Sequence, residues 1–460
     1  MKSLKDILYK VHIEAVKGTT DVAIDKIEFD SRKVQLNDAF VAIRGVVADG
    51  HQFIDTAVNQ GAVAVICEEF PERIVNGVTY IQVQNTHEAL AFMAANYYDN
   101  PSAHIKLVGV TGTNGKTTVA SLLYQMFKRA GYKVGLLSTV KNVVDDVEYK
   151  SMLTTSDSIT INKFLKQMND AGVEYCFMEV SSHAIDQGRI GGLHFAAAGF
   201  TNITHDHLDY HHTFAEYLRV KKAFFDGLPA QAIALVNADD KNGSVMLLNT
   251  RAKKMTYALK TPADFKGKII ENSLGGLVLQ INGNEVHTRL VGAFNAANLL
   301  LVYGLATGLG QEPMEVLRVL SQLTHVAGRF EHLTSPKGIT AIVDYAHTPD
   351  ALENVLATIA AFQKNNKVIT VVGCGGDRDK EKRPKMAAIA AARSQQVVLT
   401  SDNPRTEDPQ QIISDMEAGL DAAAASRTLA VLDRKQAIKT ALLLAQPPPD
   451  QDAVPPPCEA

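Results

Sequence analysis

Two hydrophobic patterns alternate along the chain. Short unbroken apolar runs recur: "DAFVAIRG", "GAVAVICEE", "IKLVGV", "KVGLLST", "EYCFMEV", "FAAAGFTNI" and "AIALVN". Each has strand length, and the central ones show no polar face, the mark of strands covered on both sides. Between them lie stretches with helical spacing, such as "THEALAFMAANYYD", "SITINKFLKQMNDAG" and "KTTVASLLYQMFKRAG", the last ending at Gly131. Strands joined by crossover helices predict an α/β fold with a mainly parallel sheet. Residues 267–290 break the rhythm. They alternate apolar and polar, and Asn282-Gly283 predicts a hairpin. "FNAANLLLVYGLATGLG" then returns to helix.

The same pattern divides the chain. "MKSLKDILYKVHIEAVK" reads as an amphipathic helix or strand start. "DNPSAHIK", Asp99 to Lys106, is a polar link containing proline and predicts a boundary. From Arg329 onward, "ITAIVDYAH", "VITVVGCGG" and "QVVLTSDN" predict three strands of a second, smaller α/β unit. The expected units are therefore 1–100, 101–327 and 328–444. "AQPPPDQDAVPPPCEA", Ala445 to Ala460, has no periodicity and reads as a disordered tail.

One loop carries chemistry by itself. "VGVTGTNGKTTVA" runs from a strand through Gly112 and Gly115 into a helix. A strict phosphate loop is G-x-x-x-x-G-K-[ST]. Here Val110 holds the first glycine position, and Gly112 takes the tight turn instead. Backbone N–H groups and the helix N-terminus would face phosphates. Lys116 would supply a positive charge, and the Thr117 or Thr118 hydroxyl could hold Mg²⁺. Downstream, Glu179 ends the strand "EYCFMEV", the edge at which open parallel sheets bind ligands. "THDHLDYHH" brings His205, His207, His211 and His212 close in sequence, which suits zinc, a hard cation or a substrate. Lys221 and Lys222 follow side by side on a helix, and spacing alone does not separate them.

Composition adds exclusions. With 46% hydrophobic and 21% charged residues, the 460-residue chain can bury large cores. A net charge of −4 gives no electrostatic case for nucleic acid. No apolar run is long enough to insert in a membrane. Cys67, Cys176, Cys374 and Cys458 are scattered without a CxxC, which fits a cytoplasmic location.

Several stretches together resemble the Mur ligases, ATP-dependent amide ligases of peptidoglycan assembly: GTNGKTT, MEVSSHA, DHLDYH, YLRVK, GAFNAANLL, DYAHTPDALENVL, GCGGDRDKEKRP and SDNPRTEDP. The resemblance implies three domains: one that holds a UDP-linked substrate, a central ATP-binding domain and a Rossmann-like amino-acid-binding domain. It also implies a reaction. ATP phosphorylates the carboxylate of a UDP-linked peptide, and the amine of an amino acid attacks the acyl phosphate.

The resemblance implies the following roles. Gly112, Thr113, Asn114, Gly115, Lys116, Thr117 and Thr118 hold the ATP phosphates. Asn295 and Asn298 approach the nucleotide, and Arg329 and Asp344 close on it. Thr117, Glu179, His207 and Lys221 serve Mg²⁺, with Lys221 carrying CO₂ as a carbamate (N6-carboxylysine). Lys116, Glu179, His207 and Lys221 are thus the catalytic set. Phe29, Ser31 and the loop Val46-Val47-Ala48 meet uridine. Thr154, Thr155, Ser181, Gln187 and Arg189 meet the muramoyl peptide, with Leu153 standing where the family often has Asn. Asp402, Asn403, Pro404 and Arg405, helped by Arg378, bind the amino acid. Arg405 suits the second carboxylate of meso-diaminopimelate. The implied partners are meso-diaminopimelate and UDP-MurNAc-L-Ala-D-Glu, acted on by a monomer.

After "DRKQAIKTALLLAQ" the family pattern continues with a strand and a Gly-Lys-Gly-His-Glu loop, where this sequence has "PPPDQDAVPPPCEA". An exposed sheet edge and weaker binding of the diaminopimelate amino group are the expectations. Two alternatives stay open: a folylpolyglutamate synthetase-like ligase, and an ATP-binding protein impaired in catalysis.

Overall fold

The computed structural model describes residues 1–45, 48–362 and 367–446. Val46 and Val47 of the uridine loop, and 447–460 of the expected tail, lie outside them. Among the described residues three sheets of three or more strands follow one another along the chain, beside two two-stranded ones.

The first has five strands, in the order Ile13–Lys17, Thr79–Val83, Ala64–Cys67, Ala39–Val41 and Ile27–Glu28. All neighbours are parallel except the first pair. The N-terminal stretch splits into a one-turn helix, Leu4–Ile7, and the strand Ile13–Lys17. Helix Thr86–Tyr97 covers one sheet face with Ala89, Leu90 and Met93. Its N-cap Asn85 accepts from the Glu88 N–H.

The central sheet has eleven strands. From Val134–Leu137 through Tyr175–Glu179, Lys106–Thr111, Phe195–Phe200, Ile233–Asn237 and Lys253–Ala258 to Phe265–Ser273, every neighbour is parallel. Antiparallel hairpins extend both ends. One is closed by Asn282 and Gly283, both at positive φ (46° and 90°), as the dipeptide predicts. Alternate side chains of each strand enter different cores. Val108, Val110 and Phe177 pack with helices Lys116–Arg129 and Ala293–Gly308. Leu107, Cys176 and Met178 pack with Ser158–Asp170 and Phe214–Asp226. Burial on both faces explains why these strands read as unbroken apolar runs.

The third sheet corrects one expectation. Ile369–Val372, Gln396–Leu399 and Thr428–Ala430 form it, all parallel. Thr340–Val343 does not join. It pairs antiparallel with Glu331–Thr334 in a separate two-stranded ribbon. Its burial alternates, with Ala341 and Val343 exposed, which suits a one-sided ribbon and not a strand covered twice. Among the described residues Thr428–Ala430 is an exposed edge strand. Helix Arg434–Ala445 takes in the first residue of the expected tail.

Phe127 ties a helix to the central sheet. It is fully buried, and its ring centroid lies 4.5 Å from that of Tyr175 and 5.0 Å from that of Phe177. Phe127→Ala is expected to cost about 3–5 kcal/mol through lost contact and a residual cavity. Urea unfolding of the central-sheet transition measures it.

Candidate active site at the switch point of the central sheet

The chain leaves strand Lys106–Thr111 between Tyr175–Glu179 on one side and Phe195–Phe200 on the other. Such a crevice, at the C-terminal ends of parallel strands, is where open α/β sheets bind ligands. The glycine loop fills it. Gly112 has φ 149°, and a Cβ there would sit 1.9 Å from the Thr201 hydroxyl oxygen. Gly115, at φ 92°, caps helix Lys116–Arg129, and a Cβ there would lie 2.6 Å from Asn298 Oδ1. Neither position accepts a side chain. Asn202 ties the loop down, taking Thr113 N–H on its carbonyl at 2.8 Å and Asn114 N–H on its side chain at 3.0 Å.

Around the loop lies a cavity of about 830 Å³. Lys116 Nζ donates to the carbonyls of Gly112 and Thr113, at 2.9 and 2.8 Å. Thr117, and not Thr118, donates its hydroxyl to Glu179 Oε2 at 2.8 Å. The other Glu179 oxygen accepts from Thr139 N–H at 2.7 Å. Arg329 reaches across from the third unit, donating to Thr117 Oγ1 at 2.7 Å, with its guanidinium 4.6 Å from the Tyr345 ring centroid. Asp344 braces that approach by accepting from Phe330 and Ala346 N–H groups at 2.7 and 2.8 Å. Burial raises its carboxyl above the ordinary range, against the pull of those hydrogen bonds and Arg329.

Lys221 and Lys222 part company here. Lys221 is 1% exposed, and its Nζ donates to Gly112 O at 2.9 Å. Burial, and then the neighbouring Lys116, hold its pKa well below the ordinary lysine value. Lys222 points away and pairs with Asp226 at 2.6 Å. His207 stands over Tyr217 with its Nε2 3.3 Å from Asp206. Burial keeps His207 and His183 neutral; the latter is pushed down to about 4. Asp206 lies below the usual carboxylate range, because burial, which raises it, is outweighed by nearby positive charge, Lys382 and Lys116 included.

The substrate-side residues divide between the cavity and its supports. Thr154, Thr155, Ser181 and Arg189 line it, as do Leu153, Arg378, Asp402 and Arg405. Gln187 stands behind, accepting from Arg189 Nε at 3.0 Å. Asn295 does not line the cavity; it donates to Val291 O and holds Asn298, which does. Asn403 and Pro404 do not line the cavity: Asn403 accepts from Gly376 N–H on its carbonyl at 2.9 Å and from Arg405 N–H on its side chain at 3.4 Å. Phe29, Ser31 and Ala48 belong to the first unit, away from this cavity, with Phe29 39% exposed. Sequence reasoning missed Asp206 and Asp350. Asp350 lines the cavity from the first turn of helix Pro349–Phe362 and accepts from Asn114 Nδ2 at 3.0 Å. Its clue lay unused in "DYAHTPDALENVL".

The donor set suits Mg²⁺. Glu179 and Thr117 present hard oxygens to one point, and Mg²⁺ commonly takes one or two protein oxygens beside phosphates and water. Among the described residues no three His, Cys, Asp or Glu are grouped to hold a metal ion.

Comparison with known proteins agrees with this arrangement. Three family models match in order: "Mur ligase family, catalytic domain" at residues 23–98, "Mur ligase middle domain" at 110–306 and "Mur ligase, glutamate ligase domain" at 328–454. A UDP-N-acetylmuramoyl-L-alanyl-D-glutamate–2,6-diaminopimelate ligase of Cytophaga hutchinsonii is 55% identical, over 96% of this chain and 91% of its own length. The protein of the same name from Bacteroides thetaiotaomicron is 52% identical, over 96% and 92%. A solved structure of a ligase of that name superposes with a TM-score of 0.69 at 29% identity, covering 97% of this chain and 91% of its own. A Mycobacterium tuberculosis folylpolyglutamate synthase shares the fold at a TM-score of 0.63 and 18% identity, over 78% of this chain and 88% of its own. A glycine loop at the switch point, an arginine reaching it from a third unit and relatives matched over nearly their whole length lead to one assignment: the chain belongs to the Mur ligase family.

Proposed function

We propose that this chain is the ATP-dependent ligase that joins meso-diaminopimelate to UDP-N-acetylmuramoyl-L-alanyl-D-glutamate. One observation carries the reading. The phosphate loop and the arginines Arg378 and Arg405 line one continuous cavity. A group activated at the loop can therefore meet an amine delivered from the third unit without release. The curated relatives named for this reaction support the choice of substrates.

In this reading residues 101–327 hold ATP, residues 1–100 hold the uridine end and residues 328–444 bring the amino acid. The loop N–H groups, Lys116 and Arg329 hold the triphosphate. The D-glutamate side-chain carboxylate, steered by Thr154, Thr155, Ser181 and Arg189, attacks the γ-phosphorus and displaces ADP. The amine of diaminopimelate then attacks the acyl carbon, and phosphate leaves as the amide forms. The work of the protein is positioning and charge neutralisation. Mg²⁺, held by Thr117, Glu179 and His207, would neutralise phosphate charge. Neutral Lys221 adds CO₂ through its Nζ and loses one proton to solvent, leaving an anionic carbamate beside the same metal site. Arg405 and Arg378 take the second carboxylate of diaminopimelate, which lysine does not have. The three buried cysteines Cys67, Cys176 and Cys374 are free thiols, consistent with a cytoplasmic enzyme. No helix among the described residues is long and apolar enough to cross a membrane. We take the active form to be a monomer.

Phosphate release tests the reading. With ATP, Mg²⁺, bicarbonate and the UDP-linked dipeptide, release should require meso-diaminopimelate and fail with L-lysine. Release with lysine alone would sink the substrate assignment.

Lys221→Ala should lower kcat by about 10²–10³-fold, as loss of a preorganised charged group does. Lys222→Ala should stay near wild type. The pH sign follows from the lowered Lys221 pKa: protonation blocks CO₂ addition, so activity at low bicarbonate falls as pH drops. Added bicarbonate should shift that fall to lower pH. A profile unmoved by bicarbonate counts against the carbamate.

A further inference from the structure

The most deeply buried ionic contact of the third unit lies beneath the cavity wall. Arg383, on helix Lys382–Arg393, is 0% exposed and grips two carboxylates. Its Nη1 and Nη2 donate to the two oxygens of Glu407, at 3.0 and 2.8 Å. Nη1 also donates to Asp415 Oδ2 at 2.7 Å, and Nη2 to the Gly375 carbonyl at 3.3 Å. Guanidinium geometry matches a carboxylate in this two-pronged way, and an ammonium does not.

Glu407 passes the hold onward. Its Oε1 also accepts from Asp377 N–H at 2.5 Å, and Thr406 Oγ1 donates to Asp377 at 2.8 Å. Two loops are thereby stitched together. One follows strand Ile369–Val372 and carries Arg378; the other follows Gln396–Leu399 and carries Arg405. They touch so closely that a Cβ on Gly376 would lie 1.9 Å from Pro404 O. Asp377, beside Arg378, and Arg405 itself both have φ 50°, a conformation non-glycine residues adopt at a cost. Ties on each side of these residues hold them there. Arg405 also donates to Gly376 O.

Charge gives a second reason for the clamp. Glu407 is two residues from Arg405, and a free carboxylate there would compete with the substrate for both cavity arginines. Arg383 occupies it, and this bonding, foremost among the causes, pulls the Glu407 carboxyl down to about 2. Glu407 thus stays anionic and committed to Arg383.

Resting on the ligase reading above, we infer that Arg383 and Glu407 are positioning residues for amino-acid selection: together they fix the spacing and aim of Arg378 and Arg405 and keep both arginines free for the distal carboxylate of the substrate. Neither Arg383 nor Glu407 lines the cavity.

Steady-state kinetics on the full chain test this with Arg383→Lys, which keeps the charge and loses the fork, and Glu407→Gln, which keeps the shape. Both should raise KM for meso-diaminopimelate at least about tenfold, leave KM for ATP within about twofold and narrow the preference over L-lysine. Asp415→Asn is the control. It removes an Arg383 contact that reaches neither loop, so it should lower the melting temperature while KM for diaminopimelate holds. An unchanged KM for diaminopimelate in either folded variant overturns the inference. So does a rise in every KM that Asp415→Asn reproduces, since that is a stability effect. If Arg383→Lys does not fold, Glu407→Gln alone decides. A wild-type chain without diaminopimelate-dependent phosphate release overturns the ligase reading, and this inference with it; wild-type turnover with unshifted variants overturns only the inference.

Discussion

Two lysine amines converge on one carbonyl oxygen. Lys221, 1% exposed, and Lys116, half-buried at the cavity wall, both donate to Gly112 O at 2.9 Å. Two like charges at such separation in a low-dielectric interior repel by several kcal/mol even at a generous effective dielectric of about 20. The arrangement is eased if one amine is neutral or if negative charge is brought in. Both routes suit the proposed chemistry: Lys221 as a neutral amine open to CO₂, and polyphosphate over the loop as the counter-charge.

Much of the surrounding structure serves that convergence. Gly112 lets the loop pass against Thr201, where any side chain would clash. Tyr217 and Thr113 share a hydrogen bond of 3.1 Å beneath it, and Tyr217 lies on the same helix, one turn before Lys221. That helix is held by Phe224 and Phe225 in the core below the sheet. The two cores on opposite faces of the central sheet therefore fix the height of Lys221 under the loop. A cavity made in either core would be felt at the site as misplacement before it was felt as unfolding.

The third unit contributes charge at a distance from its own core. Arg329 and Asp350 contact the loop residues Thr117 and Asn114, while Arg378 and Arg405 face the far end of the cavity. A small apolar cluster of Val291, Phe330 and Val355, flanked by Phe294 and Ile342, joins the central and third units behind these contacts. Phe330 has φ 50° and is 1% exposed, so the turn that delivers Arg329 is strained and packed at once.

Sequence alone was enough for the parts governed by local rules. Apolar runs covered on both faces marked the central strands, Asn282-Gly283 marked its hairpin, and Gly112 to Thr117 marked the glycine loop between strand and helix, with Glu179 at a neighbouring strand end. These depend on backbone conformation and periodicity, which neighbouring residues set. Tertiary structure decided what depends on burial and on distant partners. Lys221 and Lys222 are adjacent and chemically identical until one is placed under Gly112 and the other beside Asp226. Thr340–Val343 has strand character, yet only its partner settled that it forms a ribbon with Glu331–Thr334. Asn295, which the resemblance places near the nucleotide, serves as a support, because its side chain is taken up by Val291 O and Asn298. Arg383 resembles its basic neighbours Lys380 and Lys382 in "DKEKRP", and only the fold brings Glu407 and Asp415 to it from elsewhere in the chain. Spacing in sequence fixes which groups share a helix or strand, while desolvation and pairing, which set pKa and role, come from what the other elements bring alongside.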